Sequence, residues 1–164
     1  MEIVAQHLVD QALQRNTGDG RDLFGRSAFN RFYYASFLKA QSTLRSHRPR
    51  WANHGHSKLP RIFKDDVVNE LKIGLSRGKK TGDTEVMKIC ADAISAARGL
   101  ASILEEGYAT RVTADYFPDV AIEFTSSRDF KLNAVSVAKA HNWPAKASGF
   151  VSTLEKAWRQ LNAQ

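Results

Sequence analysis

The residues of this sequence best suited to chemistry gather between Arg45 and Arg61. Arg45, Arg48, Arg50, Lys58 and Arg61 are interleaved there with Trp51 and with His47, His54 and His56. Guanidinium and ammonium groups neutralise phosphates, while an indole and imidazoles can stack on unpaired bases, so the composition suits single-stranded RNA or an exposed base. A second reading stays open, in which Trp51 plugs the end of a helical bundle and His54 caps a neighbouring helix. His54-Gly55-His56 lacks a carboxylate or thiol partner at a known ligand spacing, so neither a metal nor any other cofactor is expected.

A second polar group lies upstream. Arg31 and Tyr34 stand three apart on one helical face, and Arg26, Asn30, Tyr33 and Tyr34 can neighbour one another. Groups of this kind need partners if buried. They would either line a phosphate-binding cleft or lock two helices together, and the sequence leaves both open.

The surrounding charge is polarised. Residues 15–80 hold fifteen Lys and Arg against five acids, a net of +10, and the rest of the chain carries −3, for a total of +7 over 164 residues. A field of that kind concentrates polyanions and is weakened by salt. The length suits one domain with one core, and 43% hydrophobic with 25% charged residues excludes a disordered chain. One cysteine, Cys90, on the apolar face of a helix, excludes an internal disulfide framework and reads as a small core residue. No apolar run approaches the roughly 20 residues of a membrane span, so a cytoplasmic protein without membrane contact is expected. There is no Gly-rich phosphate loop with Lys-Ser/Thr at the required spacing.

Apolar residues recurring at three- and four-residue steps, with only 4 Pro and 10 Gly, predict an all-α, up-down bundle of about five helices filling residues 1–164 as a single domain. The first helix is expected over Glu2–Arg15, with Val4, Leu8, Val9, Ala12 and Leu13 buried, and stops in a turn over residues 16–20. The second, Leu23–Arg45, is apolar on more than one face and should be central. A loop at 46–56 precedes a helix over Lys58–Ser76 and a turn at Arg77–Gly82. Asp83 or Thr84 then caps a helix to Gly107. Residues 108–125 read as irregular, with a short extended piece at Val120–Phe124. Ser126 or Ser127 would cap a last helical region to Asn162, kinked or split at Trp143-Pro144, because proline lacks a donor and restricts the residue before it.

The stretch Ser27-Ala28-Phe29-Asn30-Arg31-Phe32-Tyr33-Tyr34-Ala35-Ser36-Phe37 resembles the signature helix of HEPN-domain proteins, a small polar residue followed by Arg-x-Tyr-Tyr-Ala-x-Phe. His54-Gly55-His56 before an amphipathic helix, a long Ala-rich helix, and Arg111-Val112-Thr113-Ala114-Asp115-Tyr116 follow in the order of the same branch. The resemblance spans about Ser27 to Tyr116. It implies a helical bundle, a homodimer, and a place in prokaryotic defence or toxin-antitoxin systems, often beside a nucleotidyltransferase partner. Many members are metal-independent endoribonucleases that use an Arg followed, after four to six intervening residues, by His. Here the matching arginine is Arg111, yet Tyr116, Phe117 and Pro118 stand where the histidine should fall. The spacing recurs as Arg48 to His54 and Arg50 to His56.

The candidates are therefore Arg111 and Arg31 for the phosphate, His54 or His56 for proton transfer, and Tyr116 for orientation. Tyr34, Arg45, Arg48, Arg50, Trp51 and Lys58 are the further RNA- or nucleotide-binding candidates. The alternative is a catalytically inert module that docks on a partner enzyme through its apolar helices.

Overall fold

A computed structural model describes residues 1–15 and 19–162. It is 80% helical with one small sheet, the all-α class expected from the periodicity. The elements are α1 (Glu2–Gln14), α2 (Asp19–His47), α3 (Pro49–Ala52), α4 (Leu59–Ile62), a π-helical turn (Phe63–Val67), α5 (Val68–Thr81) and α6 (Thr84–Tyr116). Then follow β1 (Glu123–Phe124), β2 (Phe130–Leu132), β3 (Val135–Ser136), α7 (Val137–His141) and α8 (Trp143–Asn162). They form two compact units, one of residues 1–37 and 106–145, the other of residues 38–105 and 146–164. The long helices α2 and α6 contribute to both.

In the first unit, Phe29, Phe32 and Tyr33 of α2 are buried together with Phe130, Leu132 and Trp143. Phe29 meets Phe130 edge-on, with centroids 5.8 Å apart and planes at 86°, a geometry that suits the ring quadrupoles. The α1 face buries Ala5, Val9 and Ala12, whereas Val4, expected in that stripe, is exposed. Residues 126–136, expected to be helical, instead supply the turns and strands of an antiparallel sheet ordered β1-β2-β3. Leu132 pairs with Val135 across a two-residue turn in which Asn133 takes φ 53°, a left-handed conformation Asn tolerates. The short extended piece foreseen near Val120–Phe124 is β1, whose Glu123 pairs with Lys131 across the strands at 2.9 Å. Ser136 caps α7 by accepting the Lys139 N–H, and the helix break expected at Trp143-Pro144 separates α7 from α8.

In the second unit, Leu44, Leu59, Phe63, Leu71, Leu100 and Leu154 form the core, and Cys90 is fully buried among them. Several boundaries move relative to the sequence reading, and α6, expected to stop at Gly107, runs on to Tyr116 through residues read as irregular. The segment Arg77–Thr81, expected to turn, continues α5, and the helix stops only at Gly82, which adopts φ 73°. The loop expected at 46–56 contains α3, with Pro49 in its first turn. The turn expected at 16–20 lies, for residues 16–18, outside the described residues.

Asp83 does cap α6, as expected: its Oδ1 accepts the Val86 N–H at 3.0 Å. Asp83→Ala should cost about 1 kcal/mol, the usual value of an N-cap, read as a lower urea midpoint at unchanged slope. Among the described residues no helix is long and apolar enough to cross a membrane.

Candidate nucleic-acid interface

Dividing the charge by unit sharpens it. The second unit carries sixteen Lys and Arg against eight Asp and Glu, +8, while the first has eight against nine, −1. Of the sixteen, Arg48, Arg61 and Lys64 are held in ion pairs among the described residues.

The focus of this basic unit is the end of α2. Part-buried His47 sets its Nε2 against Oε1 of Glu70, from α5, at 2.5 Å, and Arg48 binds the other oxygen of the same carboxylate. The imidazole lies flat on the indole of Trp158, from α8, with centroids 3.9 Å apart and planes at 10°. Three adjoining clefts open here. Ser46, His47, Glu155, Trp158, Arg159 and Asn162 line one of about 220 Å³. His47, Arg48, Pro49 and Arg50 line another of about 320 Å³, and a third of about 200 Å³ adds Glu70, Gly74 and Arg77 beside Arg48 and Asn162. Four arginines therefore face two carboxylates.

Burial works against a charge on Glu70, but the hydrogen bonds from His47 and Arg48 outweigh it and hold its carboxyl below the usual range. A carboxyl whose folded-state pKa is depressed stabilises the fold above its unfolded pKa, and that contribution disappears as pH falls through the folded value. Glu70→Gln should thus lower the urea midpoint at pH 7 and narrow the gap between pH 7 and pH 3.

The sequence-nominated residues of this unit are placed as follows. Arg45, Arg48, Arg50, His54 and Lys58 are exposed, and His56 is half-buried. Trp51, read as a possible stacking surface, is only 8% exposed. It packs 6.0 Å from the His47 ring with the Arg48 guanidinium 5.3 Å from its centroid. A base finds little open face on it.

In the first unit, Arg26 is buried, and its guanidinium donates to the carbonyls of Thr113, Ala114, Phe117, Pro118 and Val120 while pairing with Asp22. It closes the C-terminal end of α6, whose last carbonyls have no helical partner. Beside it Asp115 accepts from Asn30 Nδ2 at 2.6 Å and pairs with Arg111 at 2.7 Å. The Arg111 guanidinium lies 5.4 Å from the Tyr116 ring centroid. Burial disfavours its charge, yet Asp115, with the Tyr116 and Tyr34 hydroxyls, more than compensates and raises its pKa. Arg111 Nε and Asn30 Oδ1 are buried without a partner among the described residues. Arg31 is exposed, Tyr34 half-buried, and Tyr116 65% exposed.

Arg31, Tyr34, Arg111 and Tyr116 thus belong to the first unit, and Arg45, Arg48, Arg50, Trp51, His54, His56 and Lys58 to the second. Sequence reasoning missed Glu70, Trp158, Arg159 and Asn162. Glu70 is 23 residues from His47 and Trp158 more than a hundred, and neither lies in a motif; only the helical periodicity of α8, which puts Trp158 on its buried face, hinted at either. No family model, curated protein or solved structure matches this chain.

Proposed function

We propose that this chain is a HEPN-type RNA- or nucleotide-binding protein of a defence or toxin-antitoxin system that works as a homodimer. One observation carries the binding: a unit of net charge +8 that exposes Arg45 and whose clefts are lined by Arg48, Arg50, Arg77 and Arg159. Single-stranded RNA suits it better than a duplex, because the clefts are small and combine cationic with apolar walls. The Arg-x-Tyr-Tyr helix with the later Arg-x-x-Ala-Asp-Tyr segment supports the family reading.

The test is fluorescence anisotropy with a labelled single-stranded RNA over a range of salt. Binding should weaken steeply as salt rises, and the Arg45→Ala/Arg50→Ala double variant should flatten the logarithmic slope by about 0.7 for each phosphate that is no longer neutralised. Binding indifferent to salt, or none, overturns the proposal.

The Arg111–Asp115 ion pair favours a second reading. An arginine already neutralised and hydrogen-bonded inside its own unit behaves as a structural group, which fits an inert module docking on a partner such as a nucleotidyltransferase. That reading requires no RNA binding and a partner interaction insensitive to salt.

A further inference from the structure

In the first unit a cleft of about 300 Å³ is lined by residues of α1, of α7 and of the turn between β1 and β2. None of them belongs to the HEPN-like motifs or to the basic clefts. The volume is at the lower end for ligand sites and suits a small molecule. Val9, Leu13, Val137 and Ala138 make its apolar part, and none of its lining residues is acidic. His141 adds one wall, its ring set edge-on to Phe32 with centroids 5.4 Å apart. The cations of this unit are mostly engaged. Of its eight Lys and Arg, Arg26, Arg111, Lys131 and Lys139 are in ion pairs, and Arg15 and Arg21 lie over the rings of Phe24 and Phe124. The guanidinium groups of Arg31 and Arg128 have no partner among the described residues, and it is Arg128 that lines the cleft. Its turn is held by Ser126 Oγ, which accepts the Arg128 N–H at 3.1 Å. The neighbouring carboxylate, Asp129, accepts the Ala138 N–H at 3.4 Å instead of meeting the guanidinium. Two amides complete the lining. Gln6 Nε2 donates to Asp10 and Asn142 Nδ2 to the Ala138 carbonyl, each at 2.9 Å. A carboxylate and a carbonyl only accept, so both NH₂ groups are committed. Both amide oxygens are then acceptors without a donor among the described residues.

We propose that this cleft binds a free α-amino acid with an aliphatic side chain. The carboxylate pairs with Arg128, whose planar fork of donors matches a planar anion. The α-ammonium donates to Gln6 Oε1 and Asn142 Oδ1, and the side chain covers Val9, Leu13 and Val137. A phosphate ester fits less well, because one guanidinium leaves half of a dianion uncompensated. A nucleic acid strand finds no row of cations to follow in a unit of net charge −1. Neither the site nor its ligand depends on the RNA binding assigned to the second unit.

Isothermal titration calorimetry of the full chain with leucine tests the proposal. Two partial ligands accompany it: 4-methylpentanoate, which lacks the amine, and 3-methylbutylamine, which lacks the carboxylate. Leucine should bind, and each partial ligand should bind at least about tenfold more weakly, because each has lost a charge-assisted hydrogen bond. Arg128→Ala, at an exposed position, should weaken leucine binding by about 10- to 100-fold. Ala138 is exposed as well, so Ala138→Phe should fill the cleft and abolish binding while the far-ultraviolet circular dichroism stays that of wild type, which separates blockage from unfolding. A wild type that gives neither heat nor a thermal shift with millimolar leucine overturns the proposal. So does leucine binding undiminished in Arg128→Ala or in a folded Ala138→Phe protein. If 4-methylpentanoate binds as tightly as leucine, the two amide oxygens do not hold an ammonium group and the amino-acid assignment fails.

Discussion

Arg26→Ala should lose about 3–5 kcal/mol of stability, the range seen when one partner of a buried ion pair is removed. The guanidinium is one of the few charged groups buried in this protein and serves five carbonyls at and just beyond the end of α6. Its removal takes a donor from all five, and the Ala114 carbonyl, whose bond to Arg26 is the buried one, is left without it. It also leaves Asp22, which accepts the Ile122 N–H through its other oxygen, as an uncompensated charge. Arg26→Lys should recover little, because an ammonium group keeps the charge but cannot spread five donors in a plane. Urea denaturation of the three proteins measures this. An Arg26→Ala midpoint within error of wild type would show that the carbonyls find other partners, and Arg26 would then be no keystone of the first unit.

The second large effect is expected at Gly107. A Cβ built there falls 2.7 Å from Cδ2 of Tyr33 and 3.6 Å from the Trp143 ring. Both aromatic side chains are almost fully buried, and burial also holds the Tyr33 hydroxyl neutral far above its usual range. Neither ring has room to retreat. Gly107→Ala should therefore destabilise by about 1–3 kcal/mol through overpacking, although in an exposed helix the same change gains about 1 kcal/mol from propensity. Gly149→Ala makes a direct comparison, since a Cβ at Gly149 meets nothing within 4 Å in α8. That protein should be as stable as wild type or more so, and the opposite order in thermal melts would refute the packing argument.

Gly107 also shows where a linear reading goes astray. A glycine closing an apolar-periodic run reads as a helix stop, yet α6 continues through it to Tyr116. The residue is there because Tyr33 approaches the helix backbone, and that approach is a property of two segments packed together. Arg77–Thr81 teaches the same lesson from the other side: Gly78 is buried in α5, close to Met87 and Val86, and the true stop is Gly82 in its left-handed conformation. Where the local signal is strong, reading and structure agree, as at Asp83 before α6 and at Trp143-Pro144. These are steric and hydrogen-bonding rules acting over three or four residues.

The candidate interface divides in a similar way. Its basic character and the cations from Arg45 to Lys58 were legible, because charge and residue type are written directly in the chain. The pairing of His47 with Glu70 and its stacking on Trp158 were not, since α5 and α8 reach the end of α2 only through folding.

By itself, then, the sequence determined the helical class, the caps and breaks, and an excess of positive charge in one part of the chain, all consequences of local periodicity and composition. Tertiary structure alone decided that Arg26 ties down a helix end and that His47 is the histidine held beside a carboxylate at a basic cleft. Each depends on side chains separated by 23 to 94 positions or on which face of a helix turns inward, and burial selects that only when the whole core forms.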